Sequence, residues 1–183
     1  MTSVTIGSGV TSIGEYAFSS CYALTSVTIG SGVTSIGSNA FYRSFDITSV
    51  TIFDLSAWCK IDFKDKQSSP LYHGGKLYLN YQLLTELTIP EDITEIKNYA
   101  FYGCSYIEKV NISDNVTSIG EQAFYYCNNL SICYCYATNP PNLAGTPFYN
   151  IKSNATLYVP TRCGAAYNSS WWSSGFSKII EMD

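Results

Sequence analysis

A solenoid is the fold this sequence predicts. Three observations predict it: a repeat of fixed period, an alternation of apolar and hydroxyl residues within the repeat, and an Ala-Phe pair behind the alternation. Residues 3–14 read Ser-Val-Thr-Ile-Gly-Ser-Gly-Val-Thr-Ser-Ile-Gly, and residues 26–37 repeat them unchanged at an offset of 23. Further copies start at Val50, Leu87 and Val110, the last two again 23 apart, whereas 37 residues separate Val50 from Leu87 and leave room for an insertion. A period of roughly 20–30 residues marks an array whose units bury their apolar residues only by stacking on their neighbours.

Within one unit, Ser26, Val27, Thr28 and Ile29 alternate at a period of two, the pattern of a half-buried strand with Val27 and Ile29 inward and Ser26 and Thr28 outward. Gly30 and Gly32 turn the chain, and Val33 and Ile36 return to the core. The Ala-Phe pairs at 17–18, 40–41, 100–101 and 123–124 then close the loop with a short helical turn. Phe18, Phe41, Phe101 and Phe124, joined by Phe148, are expected to form one buried column.

The motif Leu-x-x-Val-x-Ile, followed by Ala17-Phe18-x-x-Cys21, Ala100-Phe101-x-x-Cys104 and Ala123-Phe124-x-x-Cys127, resembles the leucine-rich repeats of the bacterial surface-antigen type, called BspA-like. The resemblance covers residues 1 to about 135, with Ser44 departing in the cysteine slot of the second unit. It implies an α/β fold: a right-handed, curved leucine-rich-repeat solenoid with a parallel β-sheet on the concave face and short helical or irregular turns opposite. It further implies display on a bacterial cell surface and a role in adhesion, without naming a ligand.

The insertion at about 53–80 contains Ile61/Phe63 and Leu77/Leu79, which alternate like strands, so irregular repeats or a hairpin are expected and no domain boundary. Cys133 and Cys135 fall 23 residues after Val110 and Ile112 and read as the inward pair of another strand. Thr156, Leu157, Tyr158 and Val159 supply a last strand, which places the solenoid at 1–160. Residues 161–183 no longer repeat and are expected to form a C-terminal cap of one short helix and a coil. Met1 enters in mid-repeat with no leader ahead of it, as expected of a piece of a longer array or of a chain that relies on a partner.

Charged residues make up only 13% of the 183 residues, about half the usual share, and the net charge is −4. Without a Lys/Arg cluster, nucleic acid is an unsuitable partner, and no apolar run reaches the roughly 18 residues of a membrane span. Of the seven cysteines, Cys21, Cys104 and Cys127 share one repeat position and read as small buried hydrophobes. A disulfide between stacked neighbours such as Cys104 and Cys127, or a metal, are the alternatives. No nucleophile motif accompanies His73, the only histidine, which reads as a turn residue. Asp62, Glu86, Glu91, Asp92 and Glu95 cluster mid-chain and read as a solvated face rather than a carboxylate dyad. Neither an enzyme nor a cofactor is expected.

The outward slot of each strand gives the row Thr5, Thr28, Thr51, Asp62, Tyr78, Thr88, Asn111, Tyr134 and Tyr158. Its beginning is threonine and its end is rich in tyrosine, which joins a rigid apolar ring to a hydroxyl and suits interfaces. A ligand-binding surface is therefore expected at Tyr78, Lys109, Asn111, Tyr134 and Tyr158, for a host or matrix protein or a glycan. The competing reading is a structural spacer, favoured by the near-identity of the first units.

Overall fold

The structure, a computed structural model, describes residues 2–183. It is a right-handed solenoid of about eight turns with parallel sheets and few helices. Each coil places a longer strand on one face and a two-residue strand on the next. The first three coils give β1 (Ser3–Ile6) and β2 (Ser12–Ile13), β3 (Ser26–Ile29) and β4 (Ser35–Ile36), then β5 (Ser49–Ile52) and, after helix α1 (Leu55–Cys59), β6 (Asp62–Phe63). Strand β7 (Lys76–Leu79) turns back into β8 (Gln82–Leu83). The coils resume with β9 (Glu86–Thr88) and β10 (Glu95–Ile96), β11 (Lys109–Ile112) and β12 (Ser118–Ile119), and β13 (Ile132–Cys135) and β14 (Asn142–Leu143). Strand β15 (Thr156–Val159), helix α2 (Gly164–Asn168) and β16 (Lys178–Glu181) complete the chain.

The register follows the repeat residue for residue: Val4 pairs with Val27, Val27 with Val50, and Val110 with Cys133 and Leu87, all in parallel. Cys133 and Cys135 are fully buried, as the 23-residue offset requires. One hydrophobic core runs through all the coils, but the long strands form two sheets, β1-β3-β5-β7-β8 and β9-β11-β13-β15-β16. The insertion is the cause. The antiparallel hairpin of β7 and β8 fills the lane beside β7, so β9 opens a new sheet.

Behind the strands, the Ala-Phe segments are turns rather than the expected helical turns. Left-handed residues stand two before and two after each phenylalanine: Tyr16 and Ser20, Asn39 and Arg43, Tyr99 and Gly103, Gln122 and Tyr126. That alternation rotates successive N–H groups out of a helical path and toward the next coil. Phe18 N–H donates to the Ala40 carbonyl at 2.8 Å, Phe101 to Ala123 at 2.8 Å and Phe124 to Pro147 at 2.9 Å. Threonine hydroxyls extend the same coil-to-coil bonding, Thr25 to the Thr2 carbonyl, Thr34 to Thr11 and Thr117 to Thr94.

The expected single phenylalanine column is two stacks. Phe18 and Phe41 stack at 5.3 Å, and Phe101, Phe124 and Phe148 at 5.3 and 5.2 Å. Between them the insertion supplies the fully buried Leu71 at the equivalent place, followed by Tyr72 as Phe101 is followed by Tyr102. Phe18 is half-buried rather than buried, because only one neighbouring coil packs on it.

After β15, α2 and a 3-10 turn (Trp171–Ser174) place Tyr167 and Trp172 on the last coil, where the Tyr167 hydroxyl donates to the Ala137 carbonyl at 2.8 Å and the Trp172 indole to Pro141 at 2.9 Å. The coil expected after the helix is instead β16, which pairs in parallel with β15. The sheet therefore outlasts residue 160.

Coil spacing leaves no room for side chains at the turn glycines. A Cβ on Gly32 would stand 1.9 Å from the Ser8 carbonyl oxygen, whereas one on Gly9, the same repeat position, meets nothing within 4 Å. Gly32→Ala should therefore cost about 1–3 kcal/mol through overpacking, against under about 0.5 kcal/mol for Gly9→Ala, measured by urea unfolding. Equal effects would contradict the stacking. Phe101→Ala, at a fully buried site, should cost roughly 3–5 kcal/mol in the same assay; a loss below about 1 kcal/mol would place that ring in solvent.

Candidate functional site

The outward residues of the second sheet converge on one surface. Pairing of β9, β11, β13, β15 and β16 lines up Thr88, Asn111, Tyr134, Tyr158 and Ile180, with Glu86, Lys109, Ile132, Thr156 and Lys178 beside them. Tyr134 and Tyr158 stack at 4.7 Å with planes 17° apart, and Tyr136 lies parallel to Tyr134 at 6.2 Å. The Lys109 ammonium sits 5.2 Å above the Tyr134 ring and 2.8 Å from the Glu86 carboxylate. Asn111 donates to Glu86 Oε1 and to Thr88 Oγ1, each at 3.0 Å.

These contacts hold the residues of this surface to one another. The hydrogen bond from Lys109 draws the Glu86 carboxyl below its ordinary range, and the same bond raises the Lys109 ammonium, so both stay ionised at neutral pH. The cation over the ring holds the aromatic pair in place. The chemistry on offer is an aromatic platform edged by an amide, a carboxylate and an ammonium, suited to hydrogen bonding and stacking.

Four of the five residues expected at the site, Lys109, Asn111, Tyr134 and Tyr158, thus come together. Tyr78 does not join them. It lies on the first sheet, between Thr51 and Leu83, because the hairpin occupies the lane that would have carried the row onward. Asp62, expected in the same row, belongs to the two-residue strand β6 opposite Ser35. Tyr136 and Ile180 are additions; the alternation that exposes Tyr134 exposes Tyr136 two residues later, while Ile180 had no repeat signal.

A second aromatic row escaped sequence reasoning altogether. Tyr72, Tyr102, Tyr125 and Tyr149 stack at 5.6, 5.3 and 5.1 Å behind the phenylalanines. The recurring Phe-Tyr dipeptide at 101–102, 124–125 and 148–149 carried that signal.

The mid-chain carboxylates take separate partners: Asp92 meets Lys60 at 2.6 Å, Asp62 meets Lys64 at 2.5 Å, Glu95 pairs with Lys97, and Glu91 accepts from Asn115 at 3.1 Å. All seven cysteines are free thiols, five of them buried. Among the described residues, no group of three or more His, Cys, Asp or Glu is placed to hold a metal.

The model of the BspA type leucine rich repeat region matches residues 1–64 and 74–180 in six copies. The chain belongs to this family. Of the unmatched residues, 65–73 lie within the insertion and 181–183 at the end of the chain. None of the curated proteins compared with the chain matches it. Among solved structures, a leucine-rich repeat protein from Eubacterium ventriosum is 20% identical over 98% of this chain and 72% of its own, with a TM-score of 0.35. A leucine-rich repeat protein from Bacteroides ovatus is 20% identical over 99% and 61%, with a TM-score of 0.34. A leucine rich cell surface protein from Faecalibacterium prausnitzii is 15% identical over 100% and 79%, with a TM-score of 0.32. No helix among the described residues is long and apolar enough to cross a membrane.

Burial pushes the Cys59 thiol up to about 12 and raises Cys104, Cys127, Cys133 and Cys135 as well, which suppresses the reactive thiolate. Native iodoacetamide labelling followed by mass spectrometry should therefore modify the half-buried Cys21 and Cys163 first. The other five should react only after unfolding, even at pH 9, which lies about three units below a pKa near 12. Fast native labelling of Cys133 would mean that β13 does not turn its cysteines inward.

Proposed function

We propose that this protein is a non-catalytic binding module of a cell-surface or secreted protein, and that it recognises a protein ligand through Lys109, Asn111, Tyr134 and Tyr158. The observation that carries the reading is the stacked Tyr134–Tyr158 platform with the Lys109 ammonium on its flank. Large aromatic side chains with a polar edge, immobilised in advance, lose little entropy on binding and are enriched where interfaces carry their energy. The location follows from the resemblance to surface-antigen repeats.

A spacer role fits the other half of the solenoid. Thr5, Thr28 and Thr51 form a uniform row on the first sheet, with the same four residues in β1, β3 and β5. Such a row sets length and stiffness and offers little directional chemistry. Recognition on the second sheet and spacing by the first are compatible roles.

The test is a biolayer-interferometry panel of extracellular-matrix proteins against the intact chain. Tyr134→Ala and Tyr158→Ala should each weaken the binding found by about tenfold or more, the scale of an interface hot spot. Both rings are half-buried on the outward side of the sheet, so the melting temperature should change by only a few degrees. Normal binding by these variants, with loss in Thr5 or Thr28 variants, would move the site to the first sheet; turnover of a ligand would overturn the non-catalytic reading.

A further inference from the structure

Behind the phenylalanine stack, the residue two places after each phenylalanine projects from a left-handed turn. Arg43, Tyr126 and Asn150 occupy this position with φ of 58°, 61° and 57°. Gly103 holds it at φ 74°, and a Cβ there would fall 2.0 Å from the Leu71 carbonyl oxygen of the insertion coil. Tight apposition of the insertion thus excludes a side chain at this one coil. Two places further, Ser105 stands where the next coil has Asn128. The result is a notch of about 400 Å³ between His73 and Tyr72 on one side and Tyr126 and Asn128 on the other.

We propose that this notch binds a neutral saccharide. Tyr102 lies along it with its ring buried, and its hydroxyl, which bonds to no other group among the described residues, keeps its contact with solvent at the notch. A hydroxyl that no protein group engages can exchange its water for the hydroxyl of a ligand, a hydrogen bond worth about 1 kcal/mol net. Asn128 and Ser105 likewise bring side chains that bond to nothing else among the described residues, whereas Asn111, Asn115 and Asn129 each donate to a neighbouring coil.

The lining also selects the ligand by charge and shape. It includes no Lys, Arg, Asp or Glu, and partial burial lowers the His73 imidazole, which is therefore neutral at pH 7. None of the lining residues supplies a cation to offset the desolvation of an anionic glycan; the Lys66 ammonium stands beside the notch, 5.8 Å over the Tyr72 ring. Tyr126 stands edge-on to Tyr102, at 5.9 Å and 80°, so its ring is not consumed by the stack, and 42% of it is exposed. A sugar ring has an apolar C–H face for such an aromatic and a rim of hydroxyls for Tyr102, Ser105 and Asn128. An extended peptide is disfavoured, since the Gly103 and Gly75 N–H groups already donate to Tyr125 and Gly103 carbonyls at 2.8 and 3.2 Å.

This site is separate from the Tyr134–Tyr158 face, and the test distinguishes the two. The intact chain is applied to an array of neutral and of sialylated or sulfated oligosaccharides, and neutral mono- to tetrasaccharides are then titrated by calorimetry. A neutral saccharide should bind, Tyr102→Phe should weaken it about tenfold by removing one hydroxyl partner, and Ser105→Phe should abolish it by filling the notch. Tyr134→Ala should bind it unchanged, and thermal melts identify any variant that fails to fold. The proposal is overturned by no binding of any neutral saccharide at about 10 mM, the weak end of specific affinity. It is equally overturned by binding of anionic glycans alone, by undiminished binding to a folded Ser105→Phe, or by loss in Tyr134→Ala.

Discussion

Contact of coil on coil is the constraint on which everything else in this protein depends. A single repeat has no core of its own; its apolar residues are covered only when an identical outline lies against it at strand spacing, roughly 4.7–4.9 Å. The outline must be identical because the backbones touch. At Gly37 and Gly120, as at Gly32, a side chain would meet the preceding coil's backbone. Glycine is retained there because the neighbour's main chain occupies the volume of a Cβ. The same demand explains the composition. Serine and threonine serve as short hydroxyl donors that reach one coil back, which lysine or glutamate cannot do without leaving the stack. A low charged fraction is thus a consequence of the architecture.

The insertion shows how much departure this constraint tolerates. Residues 53–80 leave the period, yet the core is unbroken, because Trp58, Ile61, Phe63, Leu71 and Leu77 each deliver an apolar group to the positions that the coils on either side require. The Trp58 indole also donates to the Ala100 carbonyl at 2.9 Å and so ties the insertion to the following coil. Side-chain burial and strand pairing obey different rules here. Burial needs apolar volume at a place, whereas a parallel ladder needs a free backbone edge, and the hairpin at β7 and β8 consumes that edge. The core passes through the insertion while the sheet stops at it.

That distinction also accounts for what could be read from the residues. The strands centred on Val4, Val27, Val50, Leu87, Val110, Cys133 and Leu157 were legible because period-two alternation and a 23-residue offset are local signals that stacking merely repeats. Even the Cys133/Cys135 strand, atypical in composition, was readable by register. The place of Tyr78 was not, since extending the row across the hairpin presumes a pairing that the insertion prevents. Strand β16 carries no repeat, and its pairing with β15 exists only in three dimensions. The gap in the phenylalanine column had the same origin: Leu71 stands there in a segment without an Ala-Phe motif. The Lys109, Asn111, Tyr134 and Tyr158 cluster was legible because its members are one period apart in a region without insertions.

Repetition also governs where recognition chemistry can arise. Stacked aromatic rings one coil apart cover each other's faces, as Phe101, Phe124 and Phe148 do, and a ladder of this kind is structure rather than binding surface. A face becomes available only where the ladder ends or skips. Tyr134 and Tyr158 form such a short run, preceded by Asn111 and followed by Ile180, so no aromatic ring of the same row continues it at either end. At the back of the solenoid, Gly103 interrupts a row of larger side chains and leaves Tyr126 without a stacking partner at its own repeat position. Both proposed sites therefore depend on divergence from the repeat at one or two coils, set within neighbours that conform to it. Exact copies, as in β1, β3 and β5, give stiffness and a uniform surface; single departures from the copy give that surface a direction and a chemical identity.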